Sequence, residues 1–552
     1  MPAKPGNLRC RSRSDRRVLL SVGHRTPARE VAVSRREMVD AVVVGTGAGG
    51  APLLSRLAGA GLRVVALEAG RRHPLTDMAT DEKAQAGLFW TDERLSAGAD
   101  PLGFGNNNSG CGVGGSTLHY TAYTPRAQPD DFRLRTEFGV GEDWPLSYAD
   151  LAPYYAEVEG FLGVSGPTPY PWGPARDQGY PHLPLPLNSA AQLMARGCEA
   201  VGLRTSPAAN AALSRPQAQE GYGLRPACTH RGFCQAGCSV GAKGSMDVTY
   251  LPLAEARGAQ IRPESFVVGL TRAGDRVTGV EYLRGGQLHW LRARHVFLCA
   301  GGIETPRLLL LHGLANSSGQ VGRNFMAHVG LQLWGEFDED TRPHKGIPGA
   351  LISEDTHRPA RLDSFGPADF AGGYLLQSIG VMPVTYASQL ARATGTWGPA
   401  LLERLCGYGH VAGINVLGDC LPHPHNFLDL SDELDRRGLP KPRIHFSWGE
   451  NERRMTAHAE RVMRAVWEAA GARGVWSYPR GAHIIGTARM GLDPATSVVD
   501  PDGRSWDLEG LHILDNSIFP SALSVNPALT IMALSLRAAD RFLARLATEV
   551  HP

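Results

Sequence analysis

Three glycines near the N-terminus are spaced to bind a phosphate-containing ligand. Gly45, Gly47 and Gly50 form a G-x-G-x-x-G sequence directly after an apolar run that ends at Val44. The first glycine of this pattern permits a tight turn, the second lets a pyrophosphate approach the backbone, and the third lets a helix pack on its strand. Glu68 lies about 20 residues further on, where an acid accepts hydrogen bonds from an adenosine ribose. The pattern predicts a dinucleotide site without distinguishing FAD from NAD.

Three of the nine cysteines, Cys228, Cys234 and Cys238, are crowded into one short segment. Gly232 and Gly237 favour a tight loop there, and three converging thiolates can bind a metal centre. The same residues are compatible with free buried thiols, with a disulfide, or with a zinc site that lacks a visible fourth ligand. The other cysteines are scattered, which is not typical of a disulfide scaffold.

The elements that position the glycines begin with a strand–helix–strand unit. Residues 39–45 and 62–67 are apolar runs typical of strands, and residues 48–60 between them have a helical pattern. Residues 261–300 alternate as a small β-meander that ends in an apolar strand. The glycine sequence therefore lies at the carboxyl end of the first strand, where α/β proteins bind nucleotides.

A second group of alternating segments predicts antiparallel strands of a separate sheet. These segments are residues 329–337, 374–384, 410–417 and 442–448. Helices are predicted over 189–202 and, with strong amphipathic character, over 450–471. The order of elements predicts an α/β protein with a Rossmann-like domain that is split by an inserted domain. The inserted domain is built on an antiparallel β-sheet flanked by helices.

The charge distribution argues against a nucleic-acid partner. Residues 1–37 contain ten Lys or Arg and three Asp or Glu, while the whole chain has a formal charge of +2. The rest of the chain is therefore weakly acidic, and the basic tail is predicted to be disordered. Arg16 and Arg17 faintly suggest an export signal, but the apolar run that follows is too short. No segment is long enough to span a membrane, so a cytoplasmic location is expected, with export alongside a partner subunit left open.

Several separate motifs over residues 39–545 resemble the glucose–methanol–choline (GMC) oxidoreductase family. These motifs are the Gly45–Gly50 sequence with Glu68, Gly112–Thr117, Ala300–Pro306, Val321–Asn324 and the terminal block His483–Thr530. The resemblance implies FAD as the cofactor. It assigns the FAD contacts to Gly45, Gly47, Gly50, Glu68, Gly115, Ser116, His119, Val267, Asp515 and Pro527.

Three of these positions keep an alternative interpretation. His119 resembles a histidine that is bonded to the flavin in some members of the family, and otherwise packs beside a non-covalent flavin. Val267 resembles the position whose backbone contacts the adenine, and otherwise is an ordinary strand valine. Asp515 resembles a residue near the ribityl and pyrophosphate groups, and otherwise is a helix or turn cap.

The resemblance also assigns a catalytic pair, His483 and Asn526. His483 lies in the segment Gly481–Thr487, which is similar to the family segment whose histidine faces the flavin, and Asn526 matches the second position of the pair. A neutral imidazole is a suitable base near pH 7. An amide can donate a hydrogen bond to an oxygen on which negative charge develops. The pair is therefore expected to act on the hydroxyl group of an alcohol.

The cysteine segment is similar to that of the bacterial FAD-dependent glucose and gluconate dehydrogenases. This similarity implies a 3Fe-4S cluster at Cys228, Cys234 and Cys238, and an electron-acceptor protein as a partner. Thr229 stands where those dehydrogenases have a further cysteine. Free thiols, a disulfide and zinc remain as alternatives.

The resemblance predicts FAD-dependent oxidation of a small-molecule sugar, polyol or other alcohol, with electrons passed to an external acceptor. An oxygen-using oxidase, a non-catalytic flavin-binding protein and an NAD-dependent enzyme are the alternative hypotheses. The expected domains are the tail 1–37, a FAD-binding domain 38–328 with a lid-like excursion at 165–187, a substrate-binding domain 329–482, and a second FAD-binding part 483–552.

Overall fold

The computed structural model of the protein describes residues 38–101, 109–359 and 362–550. The basic tail predicted at 1–37 lies outside these residues. The described strands are β1 Met38–Val44, β2 Val64–Leu67, β3 Leu95–Ala97, β4 Ser206–Pro207, β5 Gln217–Gln219, β6 Gly223–Arg225, β7 Gln260–Arg262, β8 Phe266–Ala273, β9 Arg276–Arg284, β10 Gln287–Leu298, β11 Met326–Glu336, β12 Leu351–Ser353, β13 Tyr374–Ile379, β14 Val411–Gly418, β15 Phe427–Leu434, β16 Pro440–His445, β17 Gly474–Ile485 and β18 Leu511–Ile513.

The described α-helices lie between and after these strands. They are α1 Gly50–Gly59, α2 Glu82–Gln85, α3 Leu134–Phe138, α4 Tyr148–Leu162, α5 Ser189–Ala200, α6 Tyr250–Ala256, α7 Gly301–His312, α8 Pro383–Thr394, α9 Gly398–Cys406, α10 Glu450–Ala469 and α11 Ala528–Val550. No described helix combines the length and apolar character needed to cross a bilayer.

The first sheet has seven strands in the order β7-β2-β1-β10-β9-β8, with β18 also paired to β10. β1 is parallel to both β2 and β10, and β10 is parallel to β18. The valines of β1 are buried because helices or loops cover both faces of a parallel sheet. The carboxyl ends of β1, β2, β10 and β18 therefore meet at one edge of the sheet. The predicted strand–helix–strand unit and β-meander are confirmed.

The second sheet has six strands in the order β17-β11-β14-β13-β12-β4, and all neighbouring strands are antiparallel. Successive side chains of β11 point to opposite faces of this sheet. Leu331 and Leu333 belong to a core shared with α5 and α10, which contains Met194, Val462 and Trp467. The intervening residues of β11 face away from that core. Part of this second face packs on α8 in a smaller core around Trp334 and Trp476, and the rest of it is not covered by that core.

Two of the strands predicted for this sheet need correction. The segment predicted at 442–448 forms β16, which pairs with β15 and β3 in a separate three-stranded sheet. The segment predicted at 374–384 ends as a strand at Ile379, and α8 begins at Pro383. Proline lacks the N–H that a ladder needs, and its fixed φ suits the first turn of a helix. Apolar alternation alone identified these segments without showing where they pair.

Residues 165–187 form turns and isolated bridges that an ion network fastens to α4. The Glu159 carboxylate accepts two hydrogen bonds from Arg126, at 2.9 and 2.6 Å, and others from Arg176 at 2.8 and 2.9 Å. The Arg176 guanidinium also stacks on Tyr180, 4.1 Å from the ring centroid. The Glu159 side chain is 5% exposed, so one buried carboxylate balances two guanidinium groups.

Replacing Glu159 with Gln should destabilise the fold through this network. The Glu159→Gln variant leaves two poorly exposed guanidinium groups without a counter-charge, which costs about 3 kcal/mol of unfolding free energy. The midpoint of urea unfolding measures this loss. Glu137→Gln removes the exposed pair with Arg133 and serves as the control, with an expected change of about 0.5 kcal/mol or less. Equal midpoints for the two variants would contradict the role of the network.

Candidate active site

A cavity of about 860 Å³ lies between the carboxyl ends of the parallel strands and the open face of the six-stranded sheet. All the residues assigned to FAD or to catalysis line this cavity except Gly50. The lining set is Gly45, Gly47, Glu68, Gly115, Ser116, His119, Val267, His483, Asp515, Asn526 and Pro527. The fold therefore brings together residues that lie more than four hundred positions apart in the chain.

The glycine sequence forms a turn in which side chains have no room. Gly45 has a φ of +97°, and a Cβ there would lie 2.4 Å from the carbonyl oxygen of Cys299. A Cβ on Gly50 would lie 2.0 Å from the Gly45 oxygen, so this glycine lets α1 pack on β1. Gly47 faces Gly115 across the cavity wall, where a Cβ on Gly115 would lie 2.7 Å from Gly47. The backbone itself forms this part of the wall.

Glu68 lies at the end of β2 and is held by the glycine turn. Its carboxylate accepts hydrogen bonds from the Thr46 backbone N–H at 3.0 Å, the Thr46 hydroxyl at 2.8 Å and the Gly70 N–H at 3.0 Å. Burial raises the pKa of this carboxyl despite those donors. The arrangement fixes an acceptor at the cavity wall, at the place where an adenosine ribose is expected.

His119 supplies an unpaired polar atom to the cavity. Its Nε2 is buried and has no hydrogen-bond partner among the described residues, and Phe89 packs on its ring at 4.4 Å. Burial, together with the charge of Lys243, lowers the pKa of His119 to about 3. The ring is therefore neutral at pH 7 and presents an unsatisfied nitrogen to a ligand. Ser116 is nearby, and its hydroxyl accepts a hydrogen bond from the Gly110 N–H at 2.9 Å.

Asp515 fastens two of the chain segments that form the cavity. Its carboxylate accepts hydrogen bonds from the Gly301 N–H at 2.8 Å, the Thr305 hydroxyl at 2.6 Å and the Ser517 N–H at 2.8 Å. The side chain thus caps a turn and the start of α7, in line with the alternative interpretation, while the residue also lines the cavity. Val267, in β8, also lines the cavity.

The helices α1, α7 and α11 begin at the cavity wall. The first residues of α7 and α11, and Gly49 before α1, are among the lining residues. The free N–H groups and the dipole at a helix N-terminus favour negative charge. These helix ends, the side-chain-free glycine turn, the buried carboxylate of Glu68 and the unpaired His119 nitrogen together fit FAD.

His483 is turned toward the cavity by an irregularity in β17. The pairing of β11 with β17 shifts register between Met326 and His328, and His483 has a φ of +55°. A bulge re-aims the side chains of a strand, and a left-handed histidine persists only where its surroundings hold it. One such contact is the hydrogen bond between the Nδ1 atoms of His483 and His328, at 2.8 Å.

The partners of His328 determine which nitrogen of His483 is unprotonated. His328 Nε2 lies 3.0 Å from the carbonyl oxygens of both Ala522 and Leu523. Carbonyls only accept, so Nε2 carries the proton of the neutral His328 ring, and its Nδ1 accepts from His483. His483 Nδ1 is then the donor, and His483 Nε2 is left with a lone pair. This second nitrogen lies 3.4 Å from the Asn526 Nδ2 atom.

Both imidazoles are neutral near pH 7. Burial lowers the pKa of His328 to about 4. Burial, the neighbouring His328 and the charge of Arg480 lower the pKa of His483 well below its ordinary value of about 6.5. The pair thus presents an unprotonated nitrogen to the cavity. His328 did not emerge from the sequence, although it lies four residues after the Val321–Asn324 motif, because its function depends on the contacts made in the fold.

The three cysteines line a different, much smaller cavity of about 40 Å³. Their thiols are free, and burial raises the pKa of Cys234 to about 12 and also raises the pKa of Cys228. Within the described ranges, no group of three or more His, Cys, Asp or Glu side chains is arranged to hold a metal ion. The structure therefore gives no support to the predicted cluster at Cys228, Cys234 and Cys238.

Comparison with known proteins agrees with the geometry of the large cavity. The N-terminal GMC oxidoreductase model matches residues 106–330, and the C-terminal model matches residues 422–535. The chain is 31% identical to 2-methyl-1,2-propanediol dehydrogenase of Mycolicibacterium austroafricanum, over 91% of this chain and 95% of that protein. It is also 31% identical to the fructose dehydrogenase large subunit of Gluconobacter japonicus, over 91% and 97% of the two chains.

A solved structure shows the same fold. Formate oxidase of Aspergillus oryzae RIB40, studied for its FAD modification, superposes with a TM-score of 0.66 at 16% identity, over 92% of this chain and 98% of that one. The chain belongs to the GMC oxidoreductase family. It is an FAD-dependent oxidoreductase that acts on alcohol groups, so the predicted fold class, cofactor and enzyme class are confirmed.

Substitution of His328 should slow the reaction without releasing the cofactor. In His328→Leu the His483 Nδ1–H loses its acceptor, which we expect to lower kcat about 10- to 100-fold. The rate of anaerobic flavin bleaching by an alcohol substrate measures this effect. His328→Gln keeps one acceptor and one donor and should recover much of the rate. If His328→Leu reduced the flavin as fast as wild type, the tautomer assignment would be wrong.

Proposed function

We propose that the protein oxidises a hydroxyl-bearing carbon of a small-molecule alcohol, with His483 as the base and Asn526 as the residue that orients the hydroxyl oxygen. The observation that carries this proposal is the hydrogen-bond chain through His328, which leaves His483 Nε2 unprotonated in the cavity. A base must lie within hydrogen-bond reach of the proton that it removes. His483 Nε2 and the Asn526 amide are close enough to contact a single hydroxyl group.

The chain's own groups account for the proton. The substrate hydroxyl donates its proton to His483 Nε2, while the Asn526 Nδ2–H donates a hydrogen bond to the oxygen that is left. The protonated His483 keeps its Nδ1–H bond to His328 Nδ1. Because burial holds the pKa of His483 low, we expect proton transfer only as negative charge builds on the oxygen in the transition state. FAD, when bound, supplies the two-electron acceptor for the hydride.

The two regions of the cavity support a division between cofactor and substrate. We assign residues 38–328 and 483–552, which supply the glycine turn, Glu68, Asp515 and the catalytic pair, to the cofactor side. We assign residues 329–482, which supply the open face of the six-stranded sheet, to the substrate side. The supporting observation is that both regions line one cavity.

The predicted cytoplasmic location is a further proposal, which cell fractionation tests.

An iron–sulfur cluster and an acceptor protein are finer proposals that rest on the resemblance of the cysteine segment. Cys228, Cys234 and Cys238 border one small cavity, but as placed the described residues do not fit a metal centre. We therefore derive no electron-transfer step through them. Iron and acid-labile sulfide analysis of the purified protein tests the cluster directly.

Removal of the proposed base should abolish most of the turnover. His483→Ala should lower the rate of anaerobic flavin bleaching by about 10²- to 10⁴-fold, while the flavin absorbance of the purified protein stays unchanged. His458→Gln replaces another buried histidine, which contacts Tyr374 on the far face of the sheet, and should leave the rate within about 3-fold of wild type. Wild type and His483→Ala that are equally inert toward a broad alcohol panel would instead favour a non-catalytic flavin protein.

The fate of the electrons separates a dehydrogenase from an oxidase. We propose that electrons pass to an external acceptor, so turnover with an artificial acceptor such as a phenazine dye under argon should exceed turnover in air alone. An oxygen electrode and a peroxide assay measure the second rate. Stoichiometric peroxide release at the full rate in air, without added acceptor, would show that the protein is an oxidase.

A further inference from the structure

The open face of the six-stranded sheet carries a row of polar side chains. Gln332 on β11 lies directly opposite Tyr478 on β17 and Asn415 on β14, and Asn415 lies directly opposite Gln377 on β13. Residues opposite each other in antiparallel strands point to the same face, with Cβ atoms about 5 Å apart. All four residues line the large cavity. They form a band of three amides and one phenol across four neighbouring strands.

One polar atom of each amide in this row lacks a partner. Gln332 Oε1, Asn415 Oδ1 and Gln377 Nε2 are buried and have no hydrogen bond within the part of the chain that the structure describes. Their residues are only 2%, 6% and 5% exposed. A Cβ on Gly349 would lie 2.3 Å from Gln377 Nε2, so a glycine makes the room for this amide. Buried polar groups in native proteins are normally paired, and three unpaired amides on one cavity wall therefore indicate a ligand.

The chemistry of the row selects the ligand's functional group. An amide offers both donors and acceptors, and a hydroxyl group offers both in return, so either orientation of an amide can be satisfied. None of the carboxylates that line the cavity (Glu68, Glu82, Glu304 and Asp515) lies on this sheet. The four side chains of the row are uncharged and suit neutral hydroxyls, and the cations beside them are Arg392, which stacks on Tyr478 at 5.4 Å, and Arg480 of β17. An apolar alcohol would leave these three amide atoms unpaired.

The row lies at a distance from the reacting pair. Gln332 is four residues along β11 from His328, which is a rise of about 13 Å. Between them lies the row of Gly330, with Leu417 and Arg480 directly opposite it on the two neighbouring strands. A hydroxyl bound at the amides is therefore not the one that meets His483. A ligand that meets both the amides and His483 therefore carries hydroxyl groups away from the carbon that is oxidised.

We propose that Gln332, Asn415 and Gln377 bind hydroxyl groups of a carbohydrate or similar polyol, remote from the carbon that is oxidised. This inference rests on the proposed function for the position of the reacting end, and it names the substrate class. A site built to pair hydroxyl groups discriminates strongly against analogues that lack them. The row therefore favours the binding of sugars and polyols as substrates and disfavours aliphatic alcohols of similar length.

Binding can be tested apart from turnover in the holoenzyme carrying His483→Ala. The probes are a panel of hexitols, hexoses and disaccharides, against 1-hexanol and 1-dodecanol, with dissociation constants from perturbation of the flavin spectrum. We expect at least one polyhydroxylated probe to bind tenfold or more tightly than either aliphatic alcohol. If none does, the inference is overturned.

Isosteric variants locate the effect. Adding Gln332→Met or Asn415→Leu to the His483→Ala parent should raise the dissociation constant of the polyol about 10- to 100-fold. The dissociation constants of the aliphatic alcohols should stay unchanged or fall. The Tm should stay the same or rise, because an unpaired polar group is removed. Asn210→Leu is the matched control, since its Oδ1 is also buried and unpartnered but lies outside the cavity lining. Polyol affinity that is equal in all these variants overturns the inference.

The same assay separates this inference from the proposed function. If the parent binds a polyol and the row variants do not, but the enzyme with His483 intact oxidises none of the probes, then the row is supported and the proposed reaction fails. If the enzyme with His483 intact oxidises 1-hexanol and the polyols neither bind nor react, then the reaction stands and the inference is overturned.

Discussion

The hydrogen bond between His328 and His483 is the interaction on which the site depends. It joins side chains 155 positions apart, and the two backbone carbonyls that orient His328 lie 194 and 195 positions from it along the chain. Carbonyl oxygens only accept hydrogen bonds. They therefore fix which nitrogen of His328 is the donor, and His328 in turn fixes which nitrogen of His483 is the donor. A single reversed proton would leave His483 with an N–H facing the substrate, and the imidazole would no longer be a base.

The backbone around this bond is held in uncommon conformations. His483, Thr487 and Leu523 have φ values of +55°, +94° and +67°. Such residues persist only where the surrounding packing determines them, and here the surroundings are the junction of β11, β17 and the loop before α11. Gly486 in the same segment would clash with the Asn324 carbonyl if it carried a Cβ, at 2.3 Å. The junction therefore holds His483 in place at a cost in local stability. The packing of the two large sheets beside it offsets the free energy of these backbone conformations.

Local patterns were sufficient to predict the glycine turn, the β-meander and α10, because each depends on neighbouring residues, and Glu68 follows at the expected distance. FAD itself and its other contacts were predicted from the family resemblance. The assignment of 442–448 to the second sheet was wrong because pairing depends on which strand lies alongside, which no local pattern shows. His328 and the amide row were missed for the same reason. A tautomer set by distant carbonyls, and a register that aligns Gln332 with Asn415, exist only once the sheet has formed.

The strand β11 shows how one element can serve both stability and recognition. Its odd-numbered residues from Val329 to Leu333 are buried against α5 and α10, where a change of volume is costly. Its even-numbered residues His328 and Gln332 lie on the other face, where buried His328 orients the base and Gln332 lines the cavity with an unpaired amide oxygen. Because the period of a strand is two, the faces can vary almost independently. Packing on the core face stabilises the sheet. The cavity face can therefore carry buried polar groups that lower the stability of the fold. The site thus keeps unpaired amides at a cost in stability, as expected where a ligand completes their hydrogen bonds.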